Sequence, residues 1–133
     1  MKFMCLAYEE EERLDALTLA QWHELRQETL DYVAALQSSG RLLSALPLQS
    51  ARTASTVRIR EGQRAVVDGP FAETKEQIGG FFLIEAADMQ EAVDIAAQWP
   101  SARIGTIEVR PVEEALRLDS RYGSQATGRQ GEP

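Results

Sequence analysis

The chain is short of the residues that build metal centres and cross-links: its 133 residues include one cysteine, Cys5, and one histidine, His23. A single thiol cannot close an internal disulfide, which fits a reducing compartment, and the cytoplasm is the expected location. One Cys and one His give no ligand cluster, so no metal is expected. No apolar run approaches the roughly 20 residues a membrane-spanning helix needs, so no membrane partner is expected. Positive charge is also scarce. Fourteen Lys and Arg against 21 Asp and Glu leave a net charge of −7 and a pI near 4.8, which repels phosphate backbones and argues against nucleic acid as a partner. The apolar opening carries only Lys2 as a cation and runs into Glu9 to Glu12 with no small-residue cleavage site, so no secretory signal is expected. Gly79-Gly80 has neither strand-then-helix order nor phosphate-loop spacing, and no cofactor is expected.

What is present is the composition of a globular protein, 44% hydrophobic and 26% charged, at the common size for one core. The expected domain covers residues 1–118, followed by a polar tail, 119–133, rich in Gly, Ser and Gln.

Lys2 to Tyr8 (KFMCLAY) is apolar on both alternating faces, as a strand is when its sheet is covered on both sides. The run Glu9 to Glu12 reads as a solvated loop, with an anion-sensing or metal role as the alternative. Thr18 and Gln21 have capping-box spacing, and Trp22, Leu25, Thr29, Leu30, Val33 and Leu36 form the stripe of a helix that stops at Gly40. Arg41 to Gln49 predicts a strand that Pro47 assigns to an edge. Thr56 to Val67 predicts a hairpin turning at Glu61-Gly62, and Asp68-Gly69-Pro70-Phe71 a turn. Phe81 to Ala87 is the most continuously apolar strand. Asp88 and Glu91 cap a second helix with Met89, Ala92, Val93, Ala96 and Trp99 on its apolar face, ended by Pro100. Ile104 to Val109 predicts the last strand, and Pro111 a short helical turn through Leu118.

This order is a doubled strand-helix-strand pattern, which predicts an α+β, ferredoxin-like sandwich with a β-hairpin insert and both helices on one face of the sheet. Two helices cover only one face, yet both central strands are apolar on two. A homodimer packed sheet to sheet is therefore expected.

Asp68-Gly69-Pro70-Phe71, continued by Ala72-Glu73-Thr74-Lys75-Glu76-Gln77-Ile78-Gly79-Gly80-Phe81, resembles the signature of the YCII-related, DGPF-motif family of small bacterial proteins. KFMCLAY, Pro47-Leu48-Gln49 and Gly105 to Pro111 resemble that family's pattern too. The resemblance implies a dimeric α+β barrel. It also implies a link, for many members, to extracytoplasmic-function sigma factors, while relatives in the wider fold include lyases, isomerases and monooxygenases.

Asp68, Glu73 and Lys75 are candidate catalytic residues, since a turn leading into a charged loop can set a carboxylate and an ammonium at the mouth of a cleft. Gly69, Pro70 and Phe71 are candidate ligand-binding residues; the competing reading makes Asp68 and Pro70 turn builders and the remaining charges solvated. His23 is a candidate general base, or a structurally satisfied imidazole beside Trp22. Glu85 interrupts an apolar strand: facing a barrel interior it would be an acid or base, paired with a neighbouring cation it would be structural. Glu108 and Arg110 share a strand face and pair. Arg52, Arg58, Arg60 and Arg64 make the hairpin basic, either for an anionic ligand or acidic partner or simply as a solvated face. Cys5 should be a protonated, inert thiol. The expected function is binding of a small polar ligand, with cofactor-independent acid–base chemistry of lyase or isomerase type. The alternative is a non-catalytic interaction module linked to sigma-factor regulation, and a haem or metal monooxygenase would require His23 to face an open cavity.

Overall fold

The structure, a computed structural model, describes residues 1–114. The polar tail and the end of the expected helical turn lie outside the described residues. Strands β1 (Lys2–Glu9), β2 (Leu42–Pro47), β5 (Gln77–Glu85) and β6 (Thr106–Pro111) form one sheet in the order β2-β5-β1-β6, every neighbouring pair antiparallel. β3 (Ser55–Arg60) and β4 (Gln63–Asp68) form a separate hairpin. Since β1 and β2 both run against β5, they are parallel to each other, and helix α2 (Leu19–Ser38) is the crossover between them. Helix α3 (Met89–Ala97) connects β5 and β6 in the same way. This is the α+β ferredoxin-like arrangement with a hairpin insert, and β2 is an edge strand, as Pro47 predicts. Among the described residues, no helix is long and apolar enough to cross a membrane.

The helices start where their caps say. The Thr18 hydroxyl accepts from the Gln21 N–H at 3.1 Å while the Gln21 side chain accepts from the Thr18 N–H at 2.9 Å, and the Asp88 carboxylate caps Glu91 N–H at 2.9 Å. Under them lie Phe3, Cys5, Phe82 and Ile84, nearly sealed from water. Trp99 stacks on Phe82 with ring centroids 3.8 Å apart, and Tyr32 meets Trp99 edge-on and donates to the Ile95 carbonyl at 2.6 Å. Burial pushes the Cys5 thiol up to about 12, so it is protonated and inert. Helix α2 joins this core through Tyr32, Val33 and Leu36 in its C-terminal half; Trp22 near its start and Leu30 at its middle remain exposed.

The other face of the sheet has no helix. Met4 lies opposite Leu83, Leu6 opposite Phe81, and Phe81 opposite Leu46, giving an apolar centre. It is bordered along β6 by Glu108, which accepts from Tyr8 Oη and pairs with Arg110.

Three elements differ from expectation. The acidic run is not all loop: Glu9 ends β1, and Glu11–Asp15 form a short helix, α1. β5 begins at Gln77, because Gly79 and Gly80 let the chain pass close to its neighbours. Pro111 ends β6 instead of opening a helix, and Val112 N–H continues the ladder to the Lys2 carbonyl at 2.9 Å.

Candidate functional site

β1 and β5 pair in register from Lys2 opposite Glu85 as far as Ala7 opposite Gly80, after which Tyr8 lies opposite Ile78. Gly79 is the extra residue of a β-bulge, a device that bends a strand and re-aims side chains. A Cβ on Gly79 would lie 2.0 Å from Glu9 Oε2, so the Glu9 carboxyl occupies the space a side chain there would take. The carboxyl is half-buried and, among the described residues, makes no hydrogen bond or ion pair. Burial, and then the nearby Glu11 carboxylate, hold it above the usual carboxylate range.

Glu9 opens into a cleft of about 300 Å³ between the end of β1, α1, the start of α2 and the segment after β2. Glu11 ties two of these walls together, accepting from the Ala51 N–H at 3.2 Å. The apolar walls are Leu14, Trp22, Leu48 and Ile78; the acids are Glu9, Glu11 and Asp15; no Lys or Arg lines it. A carboxyl that burial makes hold its proton more tightly than a solvated one is suited to exchanging a proton with a ligand. A second groove, about 350 Å³, runs between α3 and β6 along Met89, Val93, Ala96, Ile107 and Val109 and has no titratable lining. Among the described residues, no group of three or more His, Cys, Asp or Glu is placed to hold a metal ion.

None of the candidate catalytic or ligand-binding residues lines either cleft, although Gln77, Ile78 and Gly79 of the longer signature stretch line the first. His23 is exposed on α2 beside Trp22. The DGPF turn closes the base of the hairpin: Gly69, with a left-handed φ of 106°, donates to the Ala54 carbonyl at 2.7 Å, and its own carbonyl accepts from Thr56 Oγ1 at 2.9 Å. Asp68 ends β4 opposite Ser55, Pro70 is half-buried, and Phe71 is exposed under the Arg58 guanidinium, 5.2 Å from its ring centre. Glu73 is exposed, and Lys75 pairs with Glu10 at 3.8 Å, one residue from Glu9 and Glu11. Glu85 sits at the far end of β5 from the bulge, paired with the Met1 ammonium at 2.7 Å. That is the structural arrangement, with the terminal ammonium as the neighbouring cation. The structure therefore does not bring the five candidate catalytic residues together, and it assembles Glu9, Glu11, Asp15 and Trp22 instead. In the sequence Glu9 is one of four consecutive glutamates, and only the register that sets it against Gly79 distinguishes it.

A solved structure similar to this chain is 5-chloro-2-hydroxyhydroquinone dehydrochlorinase from Burkholderia phenoliruptrix AC1100, in complex with 2,5-dihydroxybenzoquinone. It is 15% identical with a TM-score of 0.48, the match covering 84% of this chain and 92% of that one. An uncharacterised protein of Rhizobium meliloti (strain 1021) is 36% identical over 118 residues, covering 84% of this chain and 92% of the relative. The profile of the YCII-related domain matches residues 1–115. On the last two matches, the chain belongs to the YCII-related family.

Proposed function

We propose that the cleft binds a small molecule and that Glu9 exchanges a proton with it, in cofactor-independent chemistry of lyase or isomerase type. One observation carries this reading: a half-buried carboxyl without a hydrogen-bond partner among the described residues, held above its ordinary range in the lining of a cleft with both apolar and acidic walls. A carboxyl that is a stronger base than a solvated one can remove a proton beside an electron-withdrawing centre and return it elsewhere on the substrate or to a leaving group. A volume of about 300 Å³ suits a ligand of one ring, with Trp22 offering a flat face. Lys75, paired with Glu10, is tied to the acidic segment that carries Glu9 and Glu11.

The same proposal includes a homodimer built on the helix-free face of the sheet. Met4, Leu6, Phe81, Leu83 and Leu46 form a contiguous apolar patch of the kind that normally marks an interface. Leu83→Glu would place a charge in that patch and leave a monomer in sedimentation equilibrium.

The test of the cleft is a screen of small ring compounds carrying a carbonyl or hydroxyl, read by the Trp22 indole resonance and by exchange of ligand carbon-bound hydrogen with deuterium from solvent. The expected hit shifts Trp22, and its exchange is lost in Glu9→Gln. Gly79→Ala should fold, because only the mobile tip of Glu9 has to move, yet lose exchange like Glu9→Gln. Hits that leave Trp22 unmoved, or exchange that survives both substitutions, would overturn the reading.

A further inference from the structure

The β3–β4 hairpin pairs only with itself, and every residue of its two strands except Thr56 is exposed. A two-stranded ribbon is marginal in water without a cover for its apolar face. Its register places Val57 opposite Val66 and Ile59 opposite Arg64, so these four side chains share one face. The three apolar ones are 48–59% exposed. Arg64 has no hydrogen bond or ion pair among the described residues. The ribbon is nevertheless well defined at both ends. Glu61 and Gly62 turn with φ of 52° and 74°, the double left-handed conformation of a tight hairpin, and Gly69 N–H closes the base on Ala54.

Among the described residues, the cleft mouth matches this face in both respects. At the mouth of the cleft Trp22 and Leu48 are 45% and 51% exposed beside Glu9, Glu11 and Asp15, with no cation in the lining. The apolar face of the arm carries Arg64, while Arg58 and Arg60 alternate onto its other face, so the arm as a whole bears three arginines against Glu61 and Asp68 in a protein of net charge −7. The mouth is apolar with carboxylates. Within one chain the two do not cover each other, since both are exposed.

We infer that the hairpin is an arm that docks on a second copy of this chain, laying Val57, Ile59 and Val66 over the cleft mouth and bringing Arg64 to the acidic lip. The inference rests on the homodimer reading and adds that each cleft is completed by its partner. A two-fold axis makes the exchange reciprocal, arm to cleft in both directions, which closes the assembly at two copies. The arm would supply the one cation the cleft lacks and exclude water from Glu9.

The test co-expresses a tagged Ile59→Cys chain with an untagged Leu48→Cys chain, both substitutions at exposed positions, and treats the purified protein with a short bismaleimide. The native Cys5 is buried and does not compete. The expected result is a mixed cross-linked species that neither chain forms with itself. A dimer by native mass spectrometry without that species, or cross-linking only between two Ile59→Cys chains, overturns the arm and leaves the dimer standing. A monomer overturns both. Independently, Arg64→Glu should weaken dimerisation about tenfold; unchanged association would refute the placement of Arg64.

Discussion

Glu85 and Glu9 sit at opposite ends of the same β1–β5 ribbon, and their surroundings have made them different groups. At one end the strands are in regular register and the Met1 ammonium lies 2.7 Å from Glu85, so the carboxylate has a counter-charge and remains part of the sheet. At the other the bulge at Gly79 opens a side-chain-sized space, Glu9 fills it, and the nearest charge to shift it is another carboxylate. A half-buried carboxyl with a cation beside it serves the fold. One without a cation keeps its proton longer and becomes a chemical group.

The largest effect on this contrast should come from Gly105→Ala. Its Cβ would lie 2.4 Å from the Tyr8 carbonyl and 3.3 Å from that of Ser101, both backbone atoms, so the end of β1 must move. Urea unfolding should show a loss of about 3 kcal/mol; a loss below about 1 kcal/mol would mean that the Glu9 end is pliable and its geometry not imposed.

Glu9→Gln should act in the opposite direction. With the folded carboxyl above its unfolded value, the native state binds the proton more tightly, so stability falls as pH rises from the ordinary carboxylate range through the raised value. Replacing the charge should therefore stabilise the protein by about 0.5 kcal/mol at neutral pH, after allowance for solvent screening, and by nothing in acid. Thermal melts at two pH values would decide it; equal melting shifts at both would remove the difference between the two ends.

Glu85→Gln should give the smallest change. The hydrogen bond it donates to Glu85 raises the Met1 ammonium above its usual value, so the pair's contribution is complete below the unfolded value and lost as pH rises through the raised one. The substitution should return the amine, followed by NMR of the ¹³C-methylated terminus, toward its ordinary titration. An unmoved titration would show that the pair is absent in solution.

Much of the architecture was legible because it follows from local chemistry. Thr18 and Asp88 announce helix starts by the hydrogen bonds their side chains make three residues on. Pro47 declares an edge because it has no N–H for a neighbour, and Glu61-Gly62 declares a hairpin through its left-handed pair. The site was less legible. Glu85 is conspicuous in an apolar strand and proves to be paired, while Glu9 is hidden in a run of like charges and proves to be half-buried. The DGPF turn, the most recognisable motif, shapes the root of the hairpin and lies outside the cleft lining.

Alternation, caps and turn residues determined which segments are strands and helices, because those preferences act over a few residues and need no distant partner. They also determined that one face of the sheet would be apolar without a helix to cover it. Which glutamate is desolvated was decided only in the folded molecule, because it depends on a single-residue shift in pairing between strands nearly seventy positions apart that leaves Glu9 against a glycine.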